Sequence, residues 1–163
     1  MDKPTHKLSL LFICLGNICR SPAADGVMRK LAEKEGLDLT IDSAAIGSWH
    51  IGSLPDSRMR ACGRRHGYDF SHRARQVSPA DFERFDLVFG MDEQNLADLR
   101  RLASTPEAKA KIRLMADFLT DHPGQNSIPD PYYGDEADFE FALELIEDAA
   151  RHIVKRIKER KEL

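Results

Sequence analysis

Apolar positions along the chain fall into short strand-like runs separated by stretches in which they recur at helical spacing. The runs are Leu8–Ile13, Leu39–Ile46, Phe85–Met91 and a shorter Ile112–Met115. Ala24, Val27, Met28 and Leu31 form a stripe on a first helix that Ser21 can cap, Pro22 can open and Gly36 can close. A last helix, from about Glu136 toward Lys161, carries Ala142, Leu145, Ile146, Ala149, Ala150, Ile153, Val154 and Ile157. That spacing marks a core-facing stripe, not a cofactor site. The alternation of strands and helices predicts an α/β fold with a parallel sheet covered on both faces. Two long segments escape regular assignment, Gly47–Asp56 and His122–Gly134. In an open parallel sheet the loops that leave the carboxyl ends of the strands gather on one face. Cys14, the 47–56 segment, Asp92 and the 122–134 segment all follow strands, so the pattern brings them to that face.

With 163 residues the chain is expected to be a single domain, 1–163. Hydrophobic residues at 42% and charged residues at 31% are those of an ordinary globular protein. A net charge of −3 gives no general attraction to nucleic acid or anionic membrane. The arginines between Arg58 and Arg75 read first as a solvated, partly salt-bridged surface. Three cysteines, Cys14, Cys19 and Cys62, do not make a disulfide framework, which points to a reducing cytoplasm. Lys3, Lys7 and the apolar run that follows imitate a signal peptide, but Ser9 interrupts the run, and Asn17 and Arg20 stand where small residues belong. No stretch is long enough to cross a membrane. A monomer is the default, with the oligomeric state left open.

The densest chemistry is Cys14-Leu-Gly-Asn-Ile-Cys-Arg20-Ser21-Pro22, where a strand ends and a helix begins. Backbone N–H groups and the helix dipole at such a junction favour a tetrahedral oxyanion. The same environment favours the thiolate, so Cys14 is expected to attack phosphorus and carry a phosphocysteine. Arg20 offers a planar fork for two phosphate oxygens, which lysine cannot. Gly16 lets the backbone approach the anion, and Asn17 suits the left-handed conformation of a tight loop. Ser21 is expected both to cap the helix and to donate to the sulfur. Asp130 is the candidate general acid, and later base, although Asp-Pro also starts turns. Tyr132, Tyr133, Trp49 and Leu15 suit the walls of a slot for an aryl group. No metal ligand set or cofactor is expected: Cys14, Cys19, Cys62 and His50 lack a zinc spacing, and Arg20 opposes a cation. A nucleotide P-loop is excluded because no Gly-Lys-Ser/Thr follows the turn.

These residues resemble the low-molecular-weight protein tyrosine phosphatase family. Beyond the C-x5-R-S-P loop, the resemblance takes in Asp42-Ser with Ala45, Trp49-His50, His66-Gly67, the run His72–Gln76, Met91-Asp92 through Asn95-Leu96, and Asp130-Pro-Tyr-Tyr-Gly134. It implies a doubly wound four-stranded parallel sheet and metal-independent hydrolysis of phosphotyrosine in protein substrates. It implies Cys14 as nucleophile, Arg20 as phosphate clamp and Asp130 as acid, with Leu15, Gly16, Asn17, Ile18, Cys19 and Ser21 around the phosphate. Asn17, Ser43 and His72 would brace the loop, with Asp92 behind the site. It also implies a reversible Cys14–Cys19 disulfide, which leaves Cys62 as a buried small residue and His66 open. Arsenate reductases on this fold need further cysteines near Phe82–Gly90, which this chain lacks. Protein-arginine phosphatases carry threonine where Ile18 stands. A phosphate-binding adaptor without turnover would lack the nucleophile or the acid.

Overall fold

Six buried residues, Ser9–Cys14, form β1 at the heart of a four-stranded sheet. The computed structural model describes residues 7–163, so Lys3 of the leader-like pattern lies outside the described residues. In chain order the elements are β1 (Ser9–Cys14), α1 (Arg20–Lys34), β2 (Thr40–Ala45), α2 (Ser57–Arg65), α3 (Asp81–Arg84), β3 (Leu87–Gly90), α4 (Glu93–Leu102), α5 (Pro106–Lys109), β4 (Ile112–Leu114) and α6 (Glu136–Lys158). A single 3-10 turn, Met115–Phe118, follows β4.

The strand order is β2-β1-β3-β4 and every pairing is parallel. Strands buried on both faces need apolar residues in both phases of the pleat. Leu10 and Phe12 of β1 point with Phe89 toward α1 and α6, where they meet Val27, Met28, Phe139, Leu143 and Ile146. Leu11 and Ile13 face the other way, with Val88, against Phe82, Leu99 and Ala108 of α3, α4 and α5. Helices therefore cover both faces, as the alternating pattern requires. The chain leaves β1 toward β2 on one side and returns to β3 on the other. The carboxyl ends of β1 and β3 thus flank the point where the connections part, the usual ligand crevice of such sheets.

Three boundaries differ from the sequence reading. The first helix starts at Arg20 with Cys19 as its N-cap residue, and no side chain caps it. Ser21 is not the cap because its hydroxyl is engaged by Cys14 and Asn17. Pro22 sits inside the first turn, where a missing N–H leaves no helical bond unmade. The strands are also shorter than the apolar runs. The carbonyl of Met91, just past β3, accepts the Ile128 N–H at 2.8 Å and binds the 122–134 segment. The last helix stops at Lys158, followed by Arg160 at a φ of 57°.

The exit of α1 follows the expectation for Gly36. Its φ of 67° is left-handed. Gly36 N–H bonds the Glu33 carbonyl at 3.2 Å and Leu37 N–H the Ala32 carbonyl at 2.8 Å, which closes a Schellman motif. That sharp stop returns the chain to begin β2 beside β1.

Candidate active site

Between β1 and α1 the chain turns through Leu15–Cys19 and brings the thiol of Cys14 back toward the first turn of the helix. Asn17 makes the turn with a φ of 57°. Its backbone N–H donates to Cys14 Sγ at 3.3 Å. The carbonyls of Cys14, Leu15 and Ile18 face outward and accept from Ile46, Gly47 and Asp56 at 3.0, 3.0 and 2.8 Å. Because C=O and N–H are antiparallel in a trans peptide, the N–H groups of Leu15, Gly16 and Cys19 turn away from those partners.

Proton bookkeeping orders the polar groups beneath the loop. The Asn17 amide donates to Ser21 Oγ at 2.7 Å and to Ser43 Oγ at 3.0 Å, which uses both of its hydrogens. Ser43 Oγ in turn donates to Asp25 Oδ2 at 3.1 Å. Ser21 Oγ, already an acceptor, has its own hydrogen to give to Cys14 Sγ, 3.0 Å away. The chain of donors therefore ends on the sulfur. The Asn17 carbonyl oxygen takes the Arg75 N–H at 3.2 Å. Asp25 is buried and also accepts from Arg29. His72 lies 3.0 Å from the Ser43 carbonyl, 3.7 Å from Asp25 and 3.5 Å from Asp42. Ser43 and His72 thus stand under Asn17, and the Asp25–Asp42–His72 cluster is occupied by these bonds.

Arg20 is 2% exposed, so its charge needs partners. Nη1 donates to Asp92 Oδ2 at 2.7 Å and to the Ile128 carbonyl at 2.9 Å. The other oxygen of Asp92 caps α4 through the Asn95 N–H at 2.8 Å. Asp92 therefore fixes the guanidinium to the start of a helix. Nη2 lies 3.6 Å from Asp130 Oδ2, beyond hydrogen-bond reach. Among the described residues, Arg20 Nε is the buried side-chain polar atom left without a partner. Such an orphan costs about 1–3 kcal/mol, and the Nε–Nη2 edge is the fork that matches two oxygens of a phosphate. Burial works against the Arg20 charge, but Cys14, Asp92 and Asp130 together raise its pKa.

These groups form the floor of a cleft of about 440 Å³ lined by Cys14, Leu15, Gly16, Ile18, Cys19, Arg20, Trp49, His50, Asp130, Tyr132 and Tyr133. Cys14 is 3% exposed and Tyr133 96%, so the cleft runs from a buried thiol to an open rim. Gly47 has a steric reason: a Cβ there would lie 1.9 Å from the Trp49 ring, which folds back over it. Asp130 Oδ1 accepts the Tyr132 N–H at 3.1 Å. The Asp-Pro turn thereby fixes the carboxylate, and Oδ2 faces Arg20 across the floor. Tyr132 packs on the core, under the guanidinium of Arg58, whose carbon lies 5.3 Å from the ring centre.

The match to known proteins is extensive. Residues 9–163 match the family described as Low molecular weight phosphotyrosine protein phosphatase. The chain belongs to that family. Its relative from Sus scrofa is 40% identical over 153 residues, which cover 92% of this chain and 96% of the relative. A protein tyrosine phosphatase structure from Entamoeba histolytica superposes with a TM-score of 0.91 at 40% identity, covering 94% of this chain and 99% of that one. An arginine phosphatase from drosophila superposes with a TM-score of 0.85 at 33% identity, covering 91% of this chain and 97% of that one.

Within this family frame, several residues extend or correct the sequence reading. His50 lines the cleft, and a Cβ on Gly16 would come within 3.0 Å of its ring. The only sequence signal for it was its place beside Trp49. Arg58 gave none; it pairs with Asp56 at 2.8 Å and spans Tyr132 and Phe139. Burial, then the charge of Cys14, pushes the Cys19 thiol far above the ordinary range, so Cys19 keeps its proton. Cys62 is buried as expected but has a partner, with Sγ donating to Glu140 Oε2 at 3.2 Å. Burial and that carboxylate push its thiol up to about 12. His66, left open by the sequence, lies 2.6 Å from the other oxygen of Glu140.

Proposed function

We propose that this phosphatase hydrolyses phosphotyrosine in protein substrates through a phosphocysteine on Cys14. One observation carries the reading. The buried sulfur accepts from Ser21 and Asn17 in the same floor where Arg20 presents an unpartnered Nε, and Asp130 lines the same cleft 3.6 Å from Arg20 Nη2. In the first step an S–P bond forms at Cys14 while the phosphorus–oxygen bond to the leaving group breaks. The departing phenoxide takes the proton of Asp130. In the second step Asp130 accepts a proton from water as the water oxygen bonds phosphorus, the S–P bond breaks and inorganic phosphate leaves. Arg20 and the loop hold the equatorial oxygens through both displacements. Ser21 stabilises the thiolate before attack and after its release. Neither step uses a metal or cofactor.

Substrate class follows from the depth of the cleft and its walls. Trp49, Tyr132, Leu15 and Ile18 offer apolar and aromatic surface along the path from rim to thiol, which suits a phenyl ring. A phosphoserine, shorter by that ring, would leave these walls without a partner. Phosphoarginine is the second reading, since an arginine phosphatase shares the fold, but Ile18 stands where protein-arginine phosphatases carry threonine. Three cysteines, too few and too uneven in number for a disulfide framework, support a cytoplasmic location. Among the described residues no helix is long and apolar enough to cross a membrane. The test is kcat/KM for matched phosphotyrosyl, phosphoseryl and phosphoarginyl peptides in EDTA under reducing conditions. A preference for phosphotyrosine by at least about a hundredfold is expected. Faster turnover of phosphoarginine would overturn the assignment.

A further inference from the structure

At the C-terminal end of α2, Cys62 and His66 meet Glu140, which brings a thiol, an imidazole and a carboxylate together. Their ligand atoms all lie within 4.8 Å of one another. Cys62 and His66 are four residues apart at the end of α2, so they share one face. Glu140 comes from the second turn of α6. From these positions we propose that Cys62, His66 and Glu140 bind a zinc ion that clips α2 to the start of α6, with water in the fourth position.

The geometry suits tetrahedral zinc. Bonds of about 2.3 Å to sulfur and 2.0 Å to nitrogen and oxygen set ligand separations of about 3.3–3.5 Å. Cys62 Sγ lies 3.2 Å from Glu140 Oε2 and His66 Nε2 lies 2.6 Å from Glu140 Oε1, so each faces a different carboxylate oxygen. On binding, the Glu140 carboxylate turns to give zinc a single oxygen, from a start in which one ligand atom of each residue is already within 4.8 Å of the others. Cys62 is fully buried while His66 and Glu140 are partly exposed, which leaves the fourth position toward water. A groove of about 210 Å³ nearby is lined by Arg58 and Arg65 as well as Asp135 and Glu136, so its charges balance. Arg65 is the competitor, holding Glu140 Oε2 at 2.8 Å, but Glu136 waits 3.3 Å from the same nitrogen to take it over. Zinc displaces the thiol proton to solvent, because a coordinating thiol is deprotonated by the ion. The clip holds the helix that follows the Asp130-Pro-Tyr-Tyr segment and lies outside the cleft, so turnover in EDTA is unaffected.

The test uses Co²⁺ as a spectroscopic probe in protein carrying Cys14→Ser and Cys19→Ser, so that cleft thiols cannot contribute. One equivalent is expected to give a thiolate-to-cobalt charge-transfer band that zinc bleaches. Cys62→Ser should abolish the band. His66→Gln should weaken Co²⁺ binding by more than about tenfold, since even an outer partner's loss costs that much. Arg65→Gln, an exposed change that does not threaten folding, should tighten it by freeing Glu140. No band in the folded protein, a band that survives Cys62→Ser, or affinity indifferent to both His66→Gln and Arg65→Gln would overturn the site.

Discussion

At the scale of single residues, the division of labour rests on which proton each group can give. Ser21 can donate to sulfur because Asn17 has already filled its acceptor role, and Asn17 is fixed by Ser43 and Arg75. Asp130 is held by its own turn at one oxygen and left open to the cleft at the other. On the proposed route it protonates the leaving oxygen. Asp130→Ala should therefore lower kcat about 10²–10⁴-fold for phenyl phosphate, and much less for esters with acidic phenols that leave unaided. A plot of kcat against leaving-group pKa checks this, and an unchanged slope would contradict the role. The seven-residue frame from Cys14 to Arg20 was legible because a thiol, a turn residue and an arginine have one common use beside a helix start. His50, Arg58 and the partner of Cys62 were not, because their contacts close over long sequence separations that no local pattern encodes.

At the scale of elements, the 120–134 segment shows how an irregular stretch is held. Asp148, buried on α6, accepts from the backbone of Thr120 and Asp121, the Thr120 hydroxyl and His122 Nδ1. His122 Nε2 reaches Glu144 at 2.7 Å. Burial pushes Asp148 up, but these donors win and hold it at about 2. The two carboxylates raise His122. The signs set a window. The Asp148 contribution is present above its unfolded pKa of about 3.9 and fades as pH falls toward about 2. The His122 contribution is complete below about 6.5 and is lost as pH rises through its raised value. The anchor is therefore strongest between about pH 4 and 6.5. Asp148→Asn should cost about 2–3 kcal/mol of stability, because buried backbone donors lose a charged acceptor. Amide exchange across 120–134 should quicken before that of α1; uniform exchange would contradict a local anchor. The sequence showed α6 through its stripe and the segment through its prolines, but not this clasp. The start of α1 was misplaced because Ser21-Pro22 satisfies the local rule for a cap, and the tertiary demand of Cys14 on the serine overrides it.

At the scale of the whole molecule, the sheet order decides where everything meets. Parallel pairing of β1 with both β2 and β3 aims three loops over one edge, and Asp92 at the start of α4 locks Arg20 there. The alternation of runs made this layout legible, since strands buried on both faces can be covered only by helices. The depth of the cleft and the identity of its wall were less so, because they depend on how far Trp49 and Tyr132 fold back over the loop. The central claim is a covalent phosphoryl transfer to Cys14. It is tested most directly by rapid acid quench of the enzyme turning over p-nitrophenyl phosphate, followed by mass spectrometry of the peptide that contains Cys14. Phosphate on Cys14 that forms within the first turnover, accumulates in Asp130→Ala and is absent in Cys14→Ser is the predicted result. Turnover in wild type with no phosphocysteine at any quench time, or turnover that survives Cys14→Ser, would contradict the account.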